Sequence, residues 1–190
     1  MKARDLQAYL RTLDGGWMDQ ETTVDTFKAG DPETEVRAIA VSWMSTLNAL
    51  VRAQALDCNV FITHEPTYYN HRDDPERAVF ELEGARDKRA FVESSGMVIL
   101  RCHDLWDQVP GIGIPDAWGS ALNLGEAIDG DGYCRVYDVA ARTAGDVAAQ
   151  VAARTAVYSQ PGAQLIADPQ AQVSRLAIGT GAITPLFTFV

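Results

Sequence analysis

The sequence predicts a mixed α/β fold in which helices cover a mostly parallel sheet. Three short runs, at 36–41, 58–62 and 97–101, are rich in apolar and β-branched residues. Segments with helical spacing of apolar residues lie between them, and this alternation is typical of parallel strands joined by helical crossovers. Because apolar residues dominate each run, we expect all three strands to be buried on both faces.

The other elements of the first half follow in order along the chain. An N-terminal helix comes first, and its apolar face consists of Leu6, Tyr9, Leu10 and Leu13. The Asp-Gly-Gly turn at 14–16 ends this helix. Residues 17–35 have no sustained period, which predicts a loop. A helix over 45–55, capped by Ser45 or Thr46, follows the first strand. A long helix over 76–94, which Gly96 ends, follows the second strand.

The rest of the chain predicts a second, smaller α/β unit. Its segments are a turn over 109–115, a short helix over 117–124, a strand over 133–140, a helix over 143–154 capped by Thr143, and a strand over 174–178. We therefore expect an α/β domain over 1–125 and a partial second α/β unit over 126–190.

Composition excludes several classes of partner. Against 16 Lys and Arg there are 26 Asp and Glu, so the net charge of −10 repels nucleic acids and anionic membrane surfaces. No apolar run approaches the roughly 20 residues of a membrane-spanning helix, and the N-terminus lacks the apolar core of a secretion signal. The three cysteines have no C-x-x-C spacing, which argues against a disulfide framework and a zinc knuckle. We therefore expect a cytoplasmic protein.

Metal-ligand side chains follow two of the predicted strands. His64 and Glu65 come directly after the second strand, and His103 follows the third, in a segment that also holds Asp104 and Asp107. Residues beyond the carboxyl ends of neighbouring parallel strands converge on one crevice. Imidazole and carboxylate suit zinc, manganese, iron or cobalt, and carboxylates can bridge two ions. The pattern predicts a polar cluster able to bind metal.

A structural alternative exists for the same residues. His64 and His103 could cap strand ends through hydrogen bonds, while the carboxylates beside them are solvated loop charges. Taken singly, either histidine favours this alternative. Two strand-end histidines with carboxylates, in a chain that has three histidines, favour metal. The third, His71, lies in a polar loop, so we expect it at the surface, with substrate contact as the second interpretation.

Three segments carry a resemblance to a known family. They are V-D-T-F-K-A-G-D-P at 24–32, I-T-H-E-P-T-Y-Y at 62–69 and R-C-H-D-L-W-D at 101–107. In this order they resemble the N-terminal loop, the threonine-His-His-Pro segment and the His-x-x-x-Asp segment of the Nif-three-like family. This family is also called YbgI-like, and its members are often labelled GTP cyclohydrolase I type 2 homologues. The likeness continues through I-G-T-G-A-I-T at 178–184.

The resemblance implies an α/β protein with a dinuclear centre of two divalent metal ions, assembled as a ring-shaped hexamer. The family's first histidine falls on His64, its second on Glu65 and the motif aspartate on Asp107, while His103 begins that motif. His64, Glu65 and Asp107 are therefore the metal ligands that the resemblance implies, with His103 as a fourth ligand or as a group that supports the others. Glu65 departs from the family's histidine, although a carboxylate can also ligate or bridge metal ions.

A second departure lies at the C-terminus. The family's second half contributes another histidine and a glutamate to the metals, whereas this chain has no histidine after His103. Two explanations stay open: a truncated form of a longer protein, or a shortened member with an incomplete site. The apolar ending at 186–190 favours truncation.

Two functions of different classes follow. The first is a metal-dependent hydrolase acting on a small-molecule substrate, which the cyclohydrolase label would make nucleotide-like. The alternative is a metal-binding interaction or regulatory protein without turnover, in which the ion serves folding or assembly. Only the enzyme should turn over a substrate in a metal-dependent way.

Overall fold

The computed structural model describes residues 1–16, 18–73 and 77–181. Contacts divide the chain into two units, Met1–Trp106 and Asp107–Val190. The predicted helix start at residue 76 and the apolar ending at 186–190 lie outside the described residues. Among the described residues, no helix is both long and apolar enough to cross a lipid bilayer.

The first unit is an α/β sandwich around a four-stranded sheet. Its elements are α1 (Ala3–Arg11), β1 (Phe27–Ala29), β2 (Ile39–Ser42), α2 (Leu47–Ala55), β3 (Val60–Thr63), a 3₁₀ helix (Arg77–Glu81), α3 (Glu83–Ser95), β4 (Val98–Arg101) and α4 (Asp104–Gln108). The last helix begins in the first unit and continues into the second.

The sheet has the order β1, β4, β3, β2, with β2, β3 and β4 parallel. This confirms the mostly parallel sheet that the sequence predicts. Phe61 and Ile99 of the central strands pack on one face with Leu50 of α2, whereas Val60 and Leu100 pack on the other with α1. Because both faces of β3 and β4 are covered, the residues that follow these strands start from fixed positions.

Two expectations for this sheet are wrong. Residues 17–35, expected as a loop, contain β1, which pairs antiparallel with β4. A strand of three residues is too short to show a period, so its pairing is a tertiary effect. The first predicted strand is also not buried on both faces. It forms β2 at the sheet edge, where Val41 is 73% exposed and Ile39 38% exposed, because one face of this edge strand is uncovered.

The second unit is built on a two-stranded antiparallel sheet. Its remaining elements are α5 (Ile114–Ala121), β5 (Cys134–Thr143), α6 (Ala144–Thr155), a 3₁₀ helix (Ala156–Tyr158) and β6 (Gln172–Gly179). Both predicted strands and the intervening helix are confirmed. Thr143 caps α6 as predicted, because its hydroxyl accepts the Asp146 amide while the Asp146 carboxylate accepts the Thr143 amide. Leu122, Tyr137 and Ile178 form the centre of its core.

Candidate metal centre

Three of the four predicted ligands converge. One potential ligand atom from each of His64, His103 and Asp107 lies within 4.8 Å of the other two. Asp107 is buried, and both histidines are largely shielded from solvent. Two imidazoles and a carboxylate form a donor set suited to zinc, manganese, iron or cobalt, so these residues fit a divalent metal ion.

The parallel sheet brings the two histidines together. β3 and β4 are in register, with Thr63 opposite Arg101, so His64 and His103 leave the sheet at the same edge. Their ring centroids are 4.5 Å apart. Asp107 follows on α4, four residues after His103, and this uninterrupted helix sets its position relative to the histidine.

Asp25 fixes the start of α4. Its carboxylate accepts the backbone N–H groups of His103 at 2.6 Å, Asp104 at 3.0 Å and Leu105 at 2.9 Å. Burial raises the pKa of Asp25, although these hydrogen bonds oppose the effect. Asp25 thus satisfies three amides at the helix N-terminus and determines where His103 and Asp107 lie. It lies in a segment that the resemblance includes, but no periodic pattern in the sequence indicated this role.

Asp104 orients the ring of His103. Its carboxylate lies 2.9 Å from Nδ1 of His103 and accepts hydrogen bonds from the Thr23 hydroxyl at 2.8 Å and the Val24 amide at 3.0 Å. Burial alone would raise the pKa of Asp104, but hydrogen bonds from His103, Val24 and Thr23 hold it well below its ordinary value. An ionised carboxylate only accepts, so Nδ1 of His103 donates and Nε2 is the atom available to a metal.

His64 is held by a tryptophan. The indole of Trp43 stacks on the imidazole with centroids 3.9 Å apart and an interplanar angle of 14°. Glu65, the fourth predicted ligand, lies beside the three-residue group, with Oε1 3.7 Å from Nδ1 of His64. Its carboxylate is a third exposed, so it borders the site from the solvent side.

Two buried cations hold the loop after β3. The guanidinium of Arg101 donates from Nε to the His64 carbonyl at 2.9 Å and from Nη1 to the His71 carbonyl. The ammonium of Lys88 donates to the Thr67 carbonyl. No role was predicted for either residue, because the sequence around each one is typical of an ordinary strand or helix. They fix the backbone that carries His64 and Glu65.

His71 is exposed, as the surface interpretation of its loop expects. Its ring centroid is nonetheless 5.4 Å from that of His103. Partial burial, together with the positive charge of Arg101, lowers the pKa of His71. The side chain therefore lies at the border of the centre as a neutral imidazole near pH 7.

Comparison with known proteins places this geometry in a family. Residues 1–188 match the Duf34/NIF3 (NGG1p interacting factor 3) family. A protein from Chlamydia pneumoniae described as a GTP cyclohydrolase 1 type 2 homolog is 27% identical over 125 residues, which are 65% of this chain and 47% of that protein. The chain thus spans about half the length of this curated relative.

Solved structures share the fold. Staphylococcus aureus protein SA1388 superposes with a TM-score of 0.73 at 15% identity, over 96% of this chain and 73% of that one. A protein named ybgI, of unknown function, gives 0.73 at 17% identity, over 95% and 70%. These likenesses confirm the Nif-three-like fold predicted from the sequence motifs. With nearly its whole length matched, the chain belongs to the Duf34/NIF3 family.

Proposed function

We propose that this protein is a metal-dependent hydrolase of a small-molecule substrate. The observation that carries the proposal is the convergence of His64, His103 and Asp107 within 4.8 Å. Three protein ligands that leave a coordination position open are typical of catalytic rather than structural metal sites. A divalent ion bound there supplies a positive charge that polarises a carbonyl or phosphoryl oxygen and activates water as a nucleophile.

The remaining residues prepare this chemistry. Asp104 holds the proton on Nδ1 of His103 and so presents Nε2 to the site. Trp43 covers one face of the His64 imidazole and excludes water from it. Asp25 holds the helix that carries Asp107, so the ligands need little rearrangement when they bind an ion.

We extend the proposal to two ions, with Glu65 as the carboxylate that binds or bridges the second. Its Oε1 is 3.7 Å from Nδ1 of His64. A ligand to a second ion at Glu65 would therefore lie next to a ligand to the first ion. Carboxylate bridging holds the ions of two-metal hydrolytic sites about 3.5–4 Å apart. The resemblance to a dinuclear family supports this count. The ions we expect are zinc, manganese, iron or cobalt.

The name of the Chlamydia pneumoniae relative supports a nucleotide-like substrate. We also propose a cytoplasmic location, supported by the reduced thiols of Cys58 and Cys134. The test is turnover of GTP and of a panel of phosphoesters and cyclic amides by metal-loaded protein, with Asp107→Asn as the comparison. We expect hydrolysis that needs metal and that the variant loses. Bound metal without turnover of any compound would favour the non-catalytic alternative and contradict the hydrolase.

A further inference from the structure

A small cavity lies next to the candidate metal centre within the first unit. Its volume is about 240 Å³, and its lining includes Met44, Leu47, Glu65, Tyr69 and Lys88. Pockets for drug-sized ligands measure about 300–1,000 Å³, so this cavity suits a smaller molecule.

The polar end of the cavity is a buried cation. Lys88 is 7% exposed, and its ammonium donates to the Thr67 carbonyl. Within the described part of the chain, the negative charge that acts on this ammonium is the carboxylate of Asp73, which accepts the amides of Thr67 and Tyr68 and forms no ion pair with Lys88. An ammonium has three donor hydrogens, and burying it without a direct ion pair costs free energy. An anion in the cavity would offset that cost.

The walls of the cavity are apolar and aromatic. Met44 and Leu47 contribute aliphatic surface, and the ring centroid of Tyr69 lies 5.7 Å from Nζ of Lys88. Tyr69 has a φ of +78°, which is strained for a residue with a large side chain. Tyr69 is nonetheless 62% exposed, so burial of its side chain does not explain the strain. The backbone holds the ring beside the ammonium, where it can cover a flat ligand.

Glu65 connects the cavity to the metal group, since it lines the cavity while its Oε1 lies 3.7 Å from Nδ1 of His64. We propose that this cavity binds a small organic phosphate monoester, with the phosphate on Lys88, the organic part between Met44 and Tyr69, and the opposite end toward Glu65. A phosphate dianion matches a buried point charge better than a neutral group does. This inference deepens the proposed function, because it names the substrate class of the same site.

The test is calorimetric titration of phenyl phosphate into the full chain, with and without bound zinc. Lys88→Met removes the ammonium at nearly constant volume, and Lys2→Met makes the same charge change at an exposed lysine. We expect Lys88→Met to weaken binding at least tenfold and Lys2→Met to change it less than twofold. Equal affinity in wild type and Lys88→Met, or equal losses in both variants, would overturn the inference.

A second pair of variants covers the case in which Lys88→Met does not fold. Met44 is 46% exposed, so Met44→Glu should fold while placing a negative charge at the cavity wall. We expect this variant to lose phenyl phosphate binding at least fivefold, whereas Met44→Gln retains it. Phenol, which lacks the phosphate, should bind wild type weakly and equally in all variants. Unchanged phenyl phosphate affinity in Met44→Glu contradicts the assigned cavity.

The two proposals fail separately. Zinc uptake and metal-dependent hydrolysis without any Lys88-dependent binding of phenyl phosphate would overturn the cavity and leave the hydrolase. Lys88-dependent binding to metal-free and zinc-loaded protein, with no metal-dependent turnover of GTP, any phosphoester or any cyclic amide, would support the cavity and overturn the hydrolase.

Discussion

At the scale of single residues, the candidate centre depends on side chains that do not themselves face a metal. Asp104 determines which nitrogen of His103 is available, and Asp25 determines where that histidine and α4 begin. The role of each carboxylate depends on a tertiary contact, because the loop before β1 lies beside the end of β4. The sequence does not show this contact. The ligands are the part that sequence reasoning finds, and their supports are the part it misses.

Asp104→Asn tests this support. An amide can present a donor to Nδ1 of His103 and so favour the wrong tautomer, and loss of such outer partners typically costs 10–100-fold in metal affinity. We expect that loss in a zinc titration against a chromophoric chelator, with the fold retained. Asp57→Asn, at an exposed carboxylate paired with Arg37, is the matched control and should leave the affinity unchanged. Equal affinities in the two variants would contradict the role of Asp104.

A second residue-scale prediction concerns the pH dependence of stability. Arg135 donates from Nε and Nη2 to both carboxylate oxygens of Asp116, at 2.8 and 2.9 Å, and these bonds lower the pKa of Asp116. A carboxyl with a lowered folded-state pKa stabilises the fold above its unfolded pKa of about 3.9, and that stability is lost as the pH falls through the folded value. The pair is partly exposed, so we expect a modest contribution.

Urea unfolding of wild type and Asp116→Asn at pH 7 and pH 3 measures the contribution of this ion pair to stability. We expect the variant to be less stable by about 1–2 kcal/mol at pH 7 and the difference to shrink at pH 3. Asp138→Asn, which breaks the exposed pair with Arg175, should cost less than about 0.5 kcal/mol. A difference for Asp116→Asn that is the same at both pH values would show that its charge is not responsible.

At the scale of elements, the antiparallel strand β1 depends on a close backbone approach. Gly30 follows β1 with a φ of +79°, and a Cβ added there would lie 2.6 Å from Cα of Val98 in β4. Gly96, which ends α3 with a φ of +63°, has no atom within 4 Å of such a Cβ. The two glycines therefore separate the cost of a left-handed backbone from the cost of a collision.

Alanine at each position measures the two costs. Gly96→Ala should lower the free energy of unfolding by about 1 kcal/mol, from backbone strain alone. Gly30→Ala should lower it by about 3 kcal/mol, because overpacking against β4 adds to the strain. Chemical denaturation provides both values. Equal losses would mean that the backbone at Gly30 does not approach Val98 closely.

The elements also show which parts of the fold sequence patterns can predict. β3 and β4 were predicted because strands covered on both faces must be apolar throughout, and α6 because Thr143 and an apolar face mark it. β1 and α4 were not predicted, since elements of three and five residues are too short for a period. The exposure of β2 depends on its place at the sheet edge, which its apolar residues do not encode.

The site divides in the same way. The spacing of His64 and His103 after parallel strands predicted their convergence, because sheet topology alone brings such positions together. Trp43, Lys88 and Arg101 act through tertiary contacts with this loop, and each resembles an ordinary surface, helix or strand residue in the sequence. A buried cation in an apolar element, such as Arg101 in β4, is the signal that could have pointed to one of them.

At the scale of the whole molecule, the open edge of the sheet bears on assembly. Val41 of β2 is 73% exposed and Trp43 56% exposed, and β2 pairs with a described strand on one side only. Exposed apolar edges of this kind favour association between chains. The family resemblance supports a homo-oligomer, and we propose a ring-shaped hexamer in which β2 is part of the interface.

Light scattering coupled to size-exclusion chromatography tests the assembly. The chain mass is 20.7 kDa, and we expect a particle of six such masses for wild type. Val41→Lys places a charge on the edge strand and should shift the particle to a lower mass. Lys2→Met, remote from β2 in the sequence and at an exposed position, should not. A monomeric wild type, or a Val41→Lys particle of unchanged mass, contradicts this interface.

The geometry of the candidate centre predicts that this chain holds metal through His64, His103 and Asp107. Its most direct test is elemental mass spectrometry of the full chain purified without chelators, for wild type beside Asp107→Ala. Asp138→Ala, which removes an exposed carboxylate in the second unit, serves as the control. We expect about two equivalents of a divalent transition metal in wild type and control and less than a tenth of that in Asp107→Ala. Equal metal content in all three proteins, or a wild type that cannot be loaded with any divalent ion, would contradict it.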